Sequence, residues 1–440
     1  MASVVTTLFL IILVLCLEKQ LGFKKMLCNP ALIFSFGFAL SLLYGLLWVD
    51  RWNLDFDLST MCVLVLGNFL FAFVVLSIET LLRKNLLSIK RNVIKFKACA
   101  YPFIRYYGLY ILLFIQILTF GYAFYFFSSL PGDAIFAKIE YFRNSNLFLG
   151  EQLLLPKALA HLFYITEVWG YILVYLIALY NEKQIILGKR LIIIEIITSL
   201  IISLFSGSRG LLFRYAIEYI VMSYVFKNIN KRFKFNIPCK IIFISFILCA
   251  VGVVLFFELP TILGRPIDFN IDEYIAIYLS APLKNLDTFI KEDIMGRDFL
   301  YWGTISSWSS LFSRWLDFHV EYSNDMIFRW ENGYFLGNVY TIFWTFLRDA
   351  GYLGVLFFVT FMALISEIVY IHMLKNIINR VYSVPFSAIL YSKIVFALFF
   401  AFFGDKFFSE VFDNGLIWLT FYFFLLRKIF LGKRHFMAKR

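Results

Sequence analysis

Charge is scarce in this chain. Only 16% of its 440 residues are Asp, Glu, Lys or Arg, while 61% are hydrophobic and 20% aromatic. A soluble domain carries about 25% charged and roughly 45–50% apolar residues. The polar residues here cannot cover the surfaces of the two or three domains that such a length would otherwise form. That excludes a cytosolic enzyme, a nucleic-acid binder and a secreted scaffold, and leaves lipid as the covering medium. Cysteine is also sparse. Cys16, Cys28, Cys62, Cys99, Cys239 and Cys249 fall in apolar stretches or inner connections, which offers no framework for a disulfide or a Cys-ligated metal. No internal repeat is visible, which argues against the doubled architecture of many transporters. No basic start with a small-residue cleavage site is evident at the first apolar stretch, so that helix is expected to be retained.

What is present is a series of apolar runs. A helix needs roughly 20 mainly apolar residues to cross a bilayer, and about eleven runs qualify, centred near residues 10, 40, 70, 116, 169, 198, 218, 248, 361, 394 and 420. The expected fold is all-α: a polytopic membrane protein with one long outer loop. Its divisions are 1–257 (eight spans), 258–349 (a large outer loop or cap) and 350–440 (three spans and a basic tail). Assigning alternate loops to the cytoplasm places 26 of the 41 basic residues there. By the positive-inside rule the amino terminus is then outside and the carboxyl terminus inside.

The acidic residues follow another distribution. Thirteen of the 29 lie between Glu258 and Asp349, with Arg265, Arg297, Arg314, Arg329 and Arg348 but only two lysines, Lys284 and Lys291. Arginine offers a planar fork that grips phosphate or carboxylate oxygens in pairs, so two or three of these are expected to face a ligand and the others to pair with acids. The same stretch holds Trp302, Trp308, Trp315, Trp330 and Trp344, read either as stacking faces for sugar rings or as anchors at the lipid interface.

A second polar point interrupts the sixth and seventh spans at Ser206-Gly207-Ser208-Arg209-Gly210. A helix starting there directs unsatisfied N–H groups and a positive dipole end outward. Together with Arg209 and the serine hydroxyls this forms an anion site able to hold a diphosphate; the plainer reading is a snorkelling arginine in a tight hairpin. Arg214 and Glu218, four apart on that helix, are spaced to pair. Asp55-Phe56-Asp57 is the one outer Asp-x-Asp, and no metal is expected from it.

Three segments then occur in order: Ser206 to Gly210 (SGSRG), Tyr278 to Leu286 (YLSAPLKNL) and Gly337 to Gly354 (GNVYTIFWTFLRDAGYLG). The last reads Asn338, Tyr340, Thr341, then Asp349, Gly351 and Gly354. In order, and with a long outer loop, they resemble the oligosaccharide repeat-unit polymerases, the Wzy-type O-antigen polymerases of bacterial surface-polysaccharide synthesis. The likeness covers about residues 200–370 by motif and the rest by topology alone.

The resemblance implies a multi-span glycosyltransferase of the bacterial inner membrane, inverting, working at the periplasmic face without a cofactor. Its substrate would be an undecaprenyl-diphosphate-linked oligosaccharide, and a chain-length regulator its partner. Arg209, Arg265 and Arg314, with Ser208 and Gly210, would bind the diphosphate. Tyr278, Asn285, Asn338, Tyr340 and Thr341 would contact glycan. The departing diphosphate needs electrostatic stabilisation and the acceptor hydroxyl needs a base, for which Asp349 and His319 are the candidates. Two other readings stay open: a related O-antigen ligase, and a lipid-linked oligosaccharide flippase or other transporter.

Overall fold

Inside lipid a backbone must satisfy its own hydrogen bonds, and long apolar runs do so as helices. The computed structural model describes residues 1–21, 28–82, 100–147, 153–182, 188–206, 210–230, 271–293, 303–306, 308, 327–379 and 383–435, and these are mostly helical. In chain order the elements are α1 (Ala2–Leu21), α2 (Pro30–Gly45), α3 (Leu58–Leu81), β1 (Ala100–Ile104), α4 (Tyr106–Ser128), α5 (Ile135–Leu147), α6 (Lys157–Glu182), α7 (Lys189–Ser203) and α8 (Gly210–Asn230). There follow α9 (Ile271–Leu279), α10 (Ala281–Lys291), β2 (Arg329–Glu331), β3 (Tyr334–Gly337), α11 (Ile342–Asn379), α12 (Phe386–Phe399), α13 (Gly415–Phe430) and β4 (Leu431–His435).

Among the described residues, six helices are long and apolar enough to cross a membrane: Ala2–Gln20, Pro30–Trp48, Leu58–Leu81, Tyr106–Ser128, Lys157–Glu182 and Ile342–Ile377. This is a membrane protein built of helices. The expected centres at 198, 218, 394 and 420 also lie in helices, α7, α8, α12 and α13, which fall short of that standard in length or hydropathy. The centre at 248 lies outside the described residues.

Two features depart from an all-α reading. β1 pairs antiparallel with β4, Tyr101 opposite Arg434, and β2 pairs with β3 in a tight hairpin. The hairpin turns at Asn332 (φ 49°) and Gly333 (φ 81°), the Asn-Gly pair that a two-residue turn with both φ angles positive favours.

The chain contacts group into two compact units rather than along the expected boundaries at 257 and 349. The first comprises Met1–Lys90, Phe269–Leu374 and Lys393–Leu416. Its core is aromatic: the Phe34 ring stacks on Phe71 at 4.4 Å, and Phe343 meets Phe34 edge-on at 6.2 Å. A side chain at Gly67 would begin 2.5 Å from the Phe343 ring, so glycine there lets α11 approach α3, as small residues do between membrane helices. Asn29 caps α2, its side chain accepting from Ala31 N at 2.9 Å ahead of a proline at the first helical position.

The second unit comprises Arg91–Asp268, Lys375–Ser392 and Ile417–Arg440. α6 is its centre, buried continuously from Val168 to Leu176 and packed against α7 and α8. Its polar groups pair between helices: Gln116 Nε2 donates to Ser199 Oγ at 2.9 Å, and Trp169 Nε1 donates to Glu195 at 2.5 Å. Tyr215 reaches across Gly170 to donate to the Glu167 carbonyl at 2.9 Å.

Candidate functional site

In the first unit, the segments assigned to the outer side by charge are laced to one another. Asp287, fully buried on α10, accepts from Asp57 N at 3.0 Å, Thr60 Oγ1 at 2.8 Å and Lys291 Nζ at 2.5 Å. Lys284 donates to Asn53 O at 2.9 Å and lies 3.4 Å from Glu331. Asn332 at the hairpin tip donates to Arg51 O at 3.2 Å. Ser41 and Ser280 exchange hydrogen bonds with the carbonyls of Leu279 and Ser41, at 2.5 and 2.7 Å. The Asp-x-Asp pair is used separately: Asp55 accepts from Ser3 Oγ at 2.7 Å, while Asp57 caps α3.

The second and third sequence motifs meet here. Asn285, fully buried, donates to Val339 O at 2.8 Å and to Leu336 O at 3.4 Å. The Tyr340 hydroxyl accepts from Arg329 Nε at 2.9 Å and donates to Ile327 O at 3.0 Å, and its ring stacks on Trp344 at 4.7 Å. Arg329 in turn grips both oxygens of Glu292, at 2.7 and 2.5 Å. This holds the Glu292 carboxyl below its usual range. Arg329 is therefore one of the arginines that pair with an acid, and Arg348 lies over the Trp344 ring at 5.2 Å. Tyr278 is half-buried and stacks on Phe403 at 5.4 Å; Asn338 is half-buried. Two motif atoms, Asn285 Oδ1 and Thr341 Oγ1, are buried without a hydrogen-bond partner. Such orphans are rare in native proteins and cost about 1–3 kcal/mol each.

The rest of the third motif breaks a helix. α11 carries non-helical torsions at Ala350 and at Gly351 (φ 59°, ψ −147°), a region essentially restricted to glycine. At Gly354 a side chain would begin 2.2 Å from the Phe346 carbonyl oxygen. Asp349, just before the break, accepts from Gly303 N at 3.2 Å and from Thr304 N and Oγ1 at 2.6 and 2.5 Å. Both its oxygens thus anchor the 303–304 turn.

Sequence reasoning missed Asp405. It sits in the connection between α12 and α13, half-buried, and accepts from Phe408 N at 2.9 Å ahead of a single π turn, Phe407–Val411. Its burial, reinforced by the charge of nearby Asp349, pushes its carboxyl up to about 7. The readable signal was the polar triplet Gly404-Asp405-Lys406 between two apolar runs.

In the second unit, α8 begins at Gly210, where the sequence placed it. A cavity of about 70 Å³ lies beside this start, its wall including Thr166, Glu167, Ser203, Ser206, Leu211 and Arg214. Arg214 does not form the expected pair with Glu218: its ion pair is with Glu167 on α6, at 3.8 Å, and the buried Glu218 oxygens have no hydrogen-bond partner. The neighbouring helix supplies a carboxylate that spacing along one helix cannot reveal. Ser208, Arg209, Arg265, Arg314 and His319 lie outside the described residues.

Comparison with family profiles, with curated proteins and with solved structures finds no significant match to this chain.

Proposed function

We propose that this chain is a membrane glycosyltransferase that polymerises undecaprenyl-diphosphate-linked oligosaccharide repeat units into O-antigen or a related surface polysaccharide. It works at the periplasmic face of a bacterial inner membrane, with a chain-length regulator as partner. One observation carries this reading. Two segments picked out by resemblance, some fifty residues apart, are joined through the Asn285 side chain, and together they hold two unpartnered buried oxygens. A buried polar atom without a partner calls for an explanation, and at these two segments a polar ligand would supply it.

In the proposed reaction a sugar hydroxyl of the incoming unit attacks the anomeric carbon of the growing chain. The bond to the diphosphate breaks with its electron pair on the leaving group, and the hydroxyl proton passes to a base. Arg209, Ser208 and the Gly210 end of α8 would hold the diphosphate, aided by Arg265 and Arg314. Tyr278, Asn338, Thr341 and Asn285 would meet glycan, with Tyr340 positioning the segment. Asp349 would fix the 303–304 turn. Asp405, whose proton affinity suits exchange near neutral pH, would be the base, with Asp349 and His319 as the other candidates.

Deletion of the gene, followed by gel analysis of surface glycan, tests this. Single repeat units on the lipid core are expected. Complete loss of attached glycan would make the protein a ligase, intermediates trapped in the inner leaflet would make it a flippase, and an unchanged ladder would remove it from the pathway.

A further inference from the structure

A cleft in the first unit, outside the motifs above, is built from three separate pieces of chain. The turn after α2 gives Trp48 and Trp52, stacked at 5.0 Å; α9 gives Glu273; the β2–β3 hairpin gives Trp330, Tyr334 and Phe335. Tyr334 meets Trp48 edge-on at 6.3 Å, and Trp330 leans on Phe335 at 4.9 Å. Between them lies a cavity of about 170 Å³, small beside the roughly 300–1,000 Å³ of drug-sized pockets.

Its polar equipment is sparse and specific. Glu273, half-buried, is an acceptor in the wall. The Arg51 guanidinium lies over the Trp48 ring at 4.7 Å. Trp52 is 1% exposed, and its indole N–H is buried with no hydrogen-bond partner. A buried donor left unmade is costly, and here it belongs to a ring that lines the cavity. Trp330 is 62% exposed and lines the same cavity. Anchoring at the lipid interface does not explain indoles gathered around a cavity that carries a carboxylate.

Flat apolar faces and one carboxylate match a sugar ring, which offers C–H faces to aromatic planes and hydroxyls at its rim. Resting on the glycosyltransferase reading, we propose that this cleft binds a single sugar ring of the lipid-linked glycan, stacked on the hairpin side, where Trp330 is exposed, and hydrogen-bonded by Glu273. Asn332, bonded to Arg51 O, ties the hairpin tip to the turn opposite and so sets the width of the cleft.

The test is saturation-transfer NMR on the detergent-solubilised full chain with a panel of neutral, N-acetylated and acidic monosaccharides. Transfer to the ring C–H protons of at least one sugar is expected, with about tenfold weaker binding in Glu273→Gln and in Trp330→Ala. Trp330 is exposed, so its variant should keep the wild-type melting temperature and separate binding from folding. No transfer to any sugar, or equal binding in both variants, would overturn the cleft. In cells, both variants should shorten the glycan ladder. A wild-type ladder from both, where gene deletion leaves single units, would sink the cleft and leave the polymerase standing. Residue-dependent sugar binding, with a ladder indifferent to deletion, would keep the cleft and sink the polymerase.

Discussion

In the unit formed by residues 1–90, 269–374 and 393–416, charged side chains chiefly bind the chain itself. Lys284 and Lys291 hold carbonyls of the 53–55 turn, Asp287 holds the start of α3, and Asp349 holds the 303–304 turn. In the unit centred on α6 the cavity beside the start of α8 has in its wall several hydroxyls and a looser Arg214–Glu167 pair at 3.8 Å. The contrast separates scaffold from machinery. Three donors on one carboxylate make a fixed bracket, whereas a single arginine–carboxylate pair at 3.8 Å does not. Proposed chemistry therefore falls on groups outside the brackets: Asp405 in the first unit and Arg209 at the hairpin of the second.

That division can be broken experimentally. Asp405→Asn should slow chain extension by about 10²–10⁴-fold, the usual range for a lost general base, measured on membranes supplied with lipid-linked repeat units. Because burial raises its pKa to about 7, the carboxyl ionises only as the pH climbs through that value. Wild-type activity should rise with it, and the variant should lose that inflection. Arg209→Ala should cost about 10²–10³-fold, as for one lost donor to developing charge, with unchanged membrane levels; a normal ladder would move the diphosphate site elsewhere. Gly351→Ala should act on stability instead, destabilising the chain by about 1–3 kcal/mol through its forbidden torsions, read as a lower melting temperature in detergent.

The smallest effect belongs to Glu292→Gln. Its partly exposed pair with Arg329 is expected to contribute about 0.2–1 kcal/mol. Arg329 holds the Glu292 pKa below its ordinary value, so this contribution is complete above the ordinary glutamate range and is lost as pH falls through the lowered value. The difference between wild type and variant in melting temperature should shrink on acidification. A difference that grows on acidification would show the pair to be misassigned.

The helices were legible because the apolar period and length of a span are local properties, and so was the start of α8 at Gly210. The Asn332-Gly333 turn was equally readable, as a dipeptide signature, but a compositional reading of the region passed over it. What stayed hidden depends on partners far along the chain. Nothing local pairs Ala100–Ile104 with Leu431–His435, and nothing in the spacing of Arg214 points to Glu167 rather than Glu218. The glycines of the third motif announced a purpose without disclosing it: Gly351 bends α11, and Gly354 lets it pass the Phe346 carbonyl.

Each compact unit is assembled from three stretches of chain that alternate with those of the other, the last ending at Leu416 in one and at Arg440 in the other. Synthesis from the amino terminus therefore cannot finish either unit early. α1, α2 and α3 can pack on one another once they are in the bilayer, but the face that meets α11 stays open until that helix emerges, so packing of the unit is completed late. Ribosomes stalled anywhere before residue 393 would leave both units open, making such truncated products natural targets for membrane quality-control proteases.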